Sequence, residues 1–246
     1  MLNFTDIKNS NIANKNIDKK PILVITFDDG LETDYTVAMP EMLARDMLGT
    51  TYLIPNRHNS PTTENYLNWT QIQEMYDNGW DMQCHSFDHT KLTELTSQEV
   101  EQQLIDVNNA FKNNNIPVPK HGAYPWGLYN ERIIKILKKY RRTYRATIQN
   151  QQNIDDIDFY KINSYHADIE TESKLNTFKN NLDNAITNNE IMVVYWHTLT
   201  ETRQPYFIDF LDYAVNSGIE TMTHKELYKE IFWRKWNGYK YSNLEQ

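Results

Sequence analysis

The strongest constraint on this chain is an alternation. Short runs of β-branched and aromatic residues are each followed by a stretch with helical spacing. Ile22-Leu23-Val24-Ile25-Thr26-Phe27 is the first run. Its continuous apolar character is that of a strand buried on both faces. It stops at Asp28-Asp29-Gly30, an abrupt change to charge and turn chemistry. Ile191-Met192-Val193-Val194-Tyr195-Trp196 repeats the pattern late in the chain and stops at His197. Strands that alternate with helices specify a parallel sheet with crossovers, either open or closed into a barrel.

Between these two runs the alternation continues. A helix is expected near Val37–Arg45, then a strand over Gly49–Ile54. A helix over Thr70–Asn78 stops at Gly79, and a strand over Trp80–Cys84 ends at His85. Val100, Leu104, Val107 and Phe111 recur at helical spacing, with Ser97 as the expected cap. A short piece at Gly122-Ala123-Tyr124 precedes a helix near Glu131–Lys139. Leu175, Phe178, Leu182 and Ile186 mark another helix. After His197 come a helix near Phe207–Asn216, a strand at Ile219–Met222 and a helix near Lys225–Trp233. Residues 1–20, rich in Asn and Lys, read as a lead segment, and 21–246 as one domain without internal repeats. The 246 residues suit this reading, because α/β barrels of about 200–250 residues are commonly one domain.

Composition narrows the function classes. The formal net charge of -8 lowers the prior for nucleic acid and suits a neutral partner such as a glycan. No apolar run approaches the roughly 20 residues that span a bilayer. The opening Met1-Leu2-Asn3-Phe4-Thr5-Asp6 has neither the basic nor the apolar region of a secretory leader. The expectation is a cytoplasmic protein, or one released by lysis or carried on a virus particle. Cys84 is the single cysteine and reads as a small buried residue.

Active sites in such folds sit at the carboxyl ends of the strands. Three strand readings end at Asp28-Asp29, at His85 and at His197, so their polar side chains converge on one rim. His85 and His89 are spaced i, i+4, which on a helical turn presents two imidazoles to one metal. Adjacent carboxylates on an extended chain face apart, so Asp28 and Asp29 are expected to divide their work: one on a metal, one facing the reacting water. Two histidines and one aspartate leave an open coordination position, as in catalytic zinc sites.

These residues resemble the motifs of a known family. Thr26-Phe27-Asp28-Asp29-Gly30 and His85-Ser86-Phe87-Asp88-His89 are similar to the first two motifs of the polysaccharide deacetylases, the NodB-homology domains of carbohydrate esterase family four. Ala123-Tyr124-Pro125-Trp126-Gly127 resembles the third motif and Val194-Tyr195-Trp196-His197 the last. The resemblance covers roughly Pro21 to Trp233. It implies a distorted (β/α)7 barrel and metal-dependent removal of an acyl group from an N-acetylated glycan. By position, Asp29, His85 and His89 would hold one divalent metal, Zn²⁺ first, with Co²⁺, Ni²⁺ or Fe²⁺ as others. Asp28 would be the general base and His197 the general acid. The backbone N–H of Trp126 would stabilise the oxyanion, aimed by Pro125. Tyr124, Pro125 and Trp196 would touch substrate.

One departure stands out. Ala123 occupies the place of an arginine that orients the base in the best-known members. This version of the motif resembles the subgroup acting on poly-N-acetylglucosamine, where a later basic residue takes over, and Lys161 is the candidate. The fourth motif's Asp-Trp pair is not visible. The cluster Lys138, Lys139, Arg141, Arg142 and Arg145 reads as a solvated helix end. Two other readings remain at this stage: an amidase or deformylase on a small substrate, and a glycan-binding module whose catalysis has decayed.

Overall fold

The computed structural model describes residues 20–58 and 65–242, with side chains as far as 233. The expected lead segment lies outside the described residues, Lys20 excepted. Among the described residues eight strands form one sheet: β1 (Ile22–Phe27), β2 (Thr50–Leu53), β3 (Asp81–Cys84), β4 (His121–Ala123), β5 (Thr143–Arg145), β6 (Tyr165–His166), β7 (Ile191–Trp196) and β8 (Glu220–Thr221). The order is β5-β4-β3-β2-β1-β7-β6, and neighbouring strands run parallel. The short β8 pairs with the start of β1. The sheet curls until its two edges meet. Residue 145 bridges Ile162, and the Ser164 N–H donates to the Ile148 carbonyl at 3.0 Å. The architecture is the expected distorted (β/α)7 barrel.

Helices α1 (Met39–Leu43), α2 (Trp69–Asp77), α3 (Ser97–Asn113), α4 (Glu131–Leu137), α5 (Glu172–Asn188), α6 (Gln204–Ser217) and α7 (His224–Ser242) accompany the strands. Among the described residues no helix is long and apolar enough to cross a membrane. The cap of α3 is Thr96, one residue before the expected Ser97. Its hydroxyl accepts from the Glu99 N–H, while the Glu99 carboxylate accepts from the Thr96 N–H. This reciprocal pair satisfies two N–H groups that a helix start leaves without partners. Strands β5 and β6, three and two residues long, were not expected from the sequence.

Period-two alternation sorts the strand side chains. On β1, Leu23, Ile25 and Phe27 join the cluster shared with the helices, and Thr26 faces the other way. On β7, Met192, Val194 and Trp196 face the helices, whereas Ile191 and Val193 join a separate inner cluster. The same parity puts Tyr52, Gln83, His121, Thr143 and Arg145 inside the barrel, where they meet one another through polar groups. On these strands the interior is therefore polar and layered, beside the apolar inner cluster of β1 and β7. Its lower layer contains Asp81, Gln83, His121 and Thr143, with His224 entering from the start of α7.

Candidate active site

The upper layer ends in the residues singled out above. Asp28 keeps the inward parity of Thr26, and its N–H donates to the Trp196 carbonyl at 2.9 Å. Asp29 leaves the extended conformation with φ 74°, and Gly30 follows at φ 70°. This left-handed pair turns the two carboxylates apart within one step of chain. A Cβ on Gly30 would stand 2.7 Å from the His58 ring, so the turn admits only glycine.

His85 and His89 converge without a helix. Ser86 and His89 both have positive φ, 64° and 67°, and the segment is an irregular bend. The helical turn expected from the i, i+4 spacing is corrected accordingly. The bend is held by the Ser86 hydroxyl, which accepts from the His89 N–H, and by Asp88, which accepts from the Thr90 N–H. The imidazole centroids lie 4.9 Å apart. The Nε2 atoms of His85 and His89 each stand 3.6 Å from Asp29 Oδ1.

These three side chains fit a divalent cation. Their ligand atoms lie within 4.8 Å of one another, and two nitrogens with one carboxylate oxygen form a catalytic zinc donor set. His85 Nδ1 donates to the Ala123 carbonyl at 3.0 Å, which leaves the Nε2 lone pair facing Asp29. Burial pushes His85 down to about 3 and lowers His89, so both imidazoles are neutral, as ligands must be.

The cation that meets Asp28 is Arg145. Its Nη2 donates to Asp28 Oδ1 at 2.6 Å and Oδ2 at 2.5 Å, with both groups buried. The guanidinium lies 4.3 Å over the Tyr195 ring, and Nη1 donates to the Ser164 hydroxyl at 3.0 Å. Lys161 instead meets Glu131 at 3.4 Å and Asp158 at 3.8 Å on the rim. The assignment to Lys161 is therefore corrected, and so is the reading of Arg145 as part of a solvated helix end. Arg145 lies opposite Ala123 in the β4–β5 register. Arg145 thus sits one strand over from Ala123 at the same depth in the barrel.

His197 is anchored by a carboxylate that the sequence did not reveal. Asp168 accepts from His197 Nδ1 at 3.0 Å and from the His197 N–H at 2.8 Å. It also accepts from His166 Nε2 at 2.9 Å. The aromatic assignments divide by parity. Tyr124 is buried between Tyr129 and Tyr144, its hydroxyl donating to the Tyr160 carbonyl. Trp196 is buried against Phe207 on the helix-facing side. Neither reaches the site, and Pro125 is buried too. Their assignment to substrate contact is corrected. Trp126 is different: it sits in a turn at φ 60°, is 63% exposed, and its indole N–H donates to the His89 carbonyl at 3.1 Å. A cleft of about 330 Å³ opens between Asp29, Leu31, Asn65 and His197. A larger one of about 540 Å³ lies at the opposite end of the strands, beside Asp81 and His121.

Electrostatics divides the two proton-handling groups. Burial works to raise Asp28, but the charges of Arg145 and His197 and the Arg145 hydrogen bonds outweigh it and hold the carboxyl below its usual range. Burial works to lower His197, but its bond to Asp168 and the charge of Asp28 outweigh it and raise the imidazole. A carboxyl biased toward its ionised form and an imidazole biased toward its protonated form thus share one rim, the pattern of a base and an acid.

The polysaccharide deacetylase family model matches residues 15–145, more than half of the chain. The chain is 33% identical over 149 residues to a poly-β-1,6-N-acetyl-D-glucosamine N-deacetylase of Staphylococcus epidermidis, covering 56% of this chain and 52% of that protein. It is 32% identical over 125 residues to YxkH of Bacillus subtilis, covering 50% of this chain and 44% of that protein. The chain therefore spans about half the length of the relatives it matches. Among solved structures, the Xyl-CE4 domain of a multidomain xylanase from the hindgut metagenome of Trinervitermes trinervoides superposes with TM-score 0.62 at 16% identity, covering 86% of this chain and 91% of that one. That likeness concerns the fold. A parallel barrel whose rim gathers Asp28, Asp29, His85, His89 and His197 is the class defined by fold and site together. The chain belongs to the polysaccharide deacetylase family.

Proposed function

We propose that this protein is a metal-dependent N-deacetylase of an amino-sugar polysaccharide or oligosaccharide. The carrying observation is the cluster of Asp29, His85 and His89 with an Arg145-held Asp28 on one side and an Asp168-held His197 on the other. When bound, a divalent cation supplies Lewis acidity to the acetyl carbonyl and lowers the pKa of water.

The chain's own residues supply the proton transfers. Asp28 accepts a proton from the water whose oxygen attacks the acetyl carbon. Arg145 holds that carboxylate ionised and fixed, so little reorganisation accompanies the transfer. The carbon–nitrogen bond then breaks, and His197 gives its proton to the leaving nitrogen. Acetate and a free amine result. The Trp126 N–H belongs beside the oxygen that gains charge, and its exposed indole offers a stacking face to a sugar ring.

The test is acetate release from an N-acetylglucosamine oligomer. Release is expected with Zn²⁺ or Co²⁺, lost on chelation and restored by metal. Asp28→Asn is expected to lower it by about 10²–10⁴-fold, the range for a positioned acid or base. Unchanged turnover in Asp28→Asn refutes the assigned base. A small formylated or acylated amine serves as the competing substrate, and preference for it favours the small-molecule amidase reading.

A further inference from the structure

His166 has no part in the reaction derived above, yet it stands where a ligand would. It lies on β6, two residues before Asp168, so the two side chains share one face. Strand β6 pairs with β7, placing His166 beside Tyr195, and His197 follows β7 directly. The result is two imidazoles converging on one carboxylate oxygen. His166 Nε2 is 2.9 Å and His197 Nδ1 3.0 Å from Asp168 Oδ2. The three ligand atoms lie within 4.8 Å of one another. Stacking on Tyr195, at 5.0 Å and 12°, keeps the His166 ring aimed at that oxygen.

We propose that His166, Asp168 and His197 form a second divalent-cation site, which fills at excess metal and stops turnover. The donor set repeats that of Asp29, His85 and His89. Bonds of about 2.0–2.2 Å at tetrahedral angles place neighbouring ligand atoms about 3.3–3.6 Å apart. A few tenths of an ångström of opening suffices, and His166 is partly exposed with room to give. Arg203 is the competing charge, with Nη1 3.2 Å from Asp168 Oδ2. It is also tied to Glu170 and to the Thr198 carbonyl, so it stays anchored if it cedes that contact. Its positive charge makes this the weaker of the two sites. A cation on His197 Nδ1 takes the place of a proton, so the ring can no longer be an imidazolium. The inhibitory consequence rests on His197 being the general acid; the binding site does not.

Binding and turnover are therefore read separately. Metal-free, tag-free protein is titrated with Co²⁺, followed by calorimetry and by visible absorbance. The wild type is expected to take two equivalents, the second at least tenfold weaker. His166→Ala is expected to lose the weak event and keep the tight one, and Asp29→Asn the reverse. Acetate release is then compared at one equivalent of Zn²⁺ and at a large excess. Excess is expected to lower the wild-type rate at least fivefold and to leave His166→Ala at its own one-equivalent rate. A single equivalent in the wild type, or a weak event that persists in His166→Ala, overturns the site. Two equivalents with no acetate release under any metal loading support the site and refute the deacetylase reading.

Discussion

Arg145 and Asp28 come from opposite sides of the barrel and are both buried, so each is the other's main compensation for lost water. Arg145→Met leaves a buried carboxylate without its cation. The expected cost is about 3–5 kcal/mol of stability, measured by denaturant titration, with the acid limb of the kcat profile moving to higher pH. Lys161→Ala, on the rim, is expected to stay within about twofold in activity and about 1 kcal/mol in stability. The opposite result for the two would reinstate Lys161. Asp28 is depressed and His197 raised, so both hold their active forms from below the ordinary carboxylate range to above the ordinary imidazole range. Asp168→Asn removes the bond that raises His197, and the alkaline limb of kcat is expected to move to lower pH. An unmoved limb would mean that another group sets it. Asp28, Asp29, His85, His89 and His197 were legible because each stands at the end of a recognisable strand or motif. The misassigned aromatics were a parity question. Trp196 lies an even number of steps from Val194, which packs on helices, whereas Tyr195 carries the inward phase.

At the scale of elements, what could be read depended on length. β1 and β7, six residues each, announce themselves by apolar runs. β5 and β6 are too short for any period to show, and they exist because neighbouring strands offer them hydrogen-bond partners. They also bring Arg145 to the interior and His166 to the rim, and Asp168 follows β6 by two residues. Missing the strands meant missing these residues. β4 carries a sharper dependence. A Cβ on Gly122 would stand 2.5 Å from the Tyr144 ring, and the next residue's carbonyl orients His85. Gly122→Ala is expected to cost about 1–3 kcal/mol through overpacking and to weaken metal binding, read by calorimetry. Thr96→Ala removes only the α3 cap. It is expected to cost about 1 kcal/mol with metal affinity unchanged. Equal effects on metal affinity would show that β4 has no special hold on the site.

At the scale of the whole molecule, the polar interior sets how the protein meets acid. His121 Nδ1 lies 2.8 Å from the Thr143 hydroxyl, which lies 2.6 Å from His224 Nε2, and His224 Nδ1 contacts the Tyr52 hydroxyl. In either direction of donation, this chain holds one proton per link. Protonating His224, whose two nitrogens both lie in the chain, sets two donors against each other in either direction, and its ring stacks on that of His121 at 5.0 Å. Burial, with the nearby charge of Arg142, pushes His121 down to about 3. Burial, with the charge of His121, lowers His224 as well. A histidine depressed in the folded state contributes stability above its unfolded pKa of about 6.5, and that stability is lost as pH falls toward the folded value. Each such histidine then removes about 1.4 kcal/mol per pH unit. Two together remove about 2.7 kcal/mol per unit, a large share of a total of about 5–15 kcal/mol. Metal-free protein is therefore expected to lose stability steeply between pH 5.5 and 4.5 in urea titrations. The His121→Gln, His224→Gln double variant, whatever its starting stability, is expected to show a slope shallower by about 2.7 kcal/mol per pH unit. Equal slopes would place the acid sensitivity elsewhere, with buried His58, pushed down to about 4 by burial, as the next histidine to test.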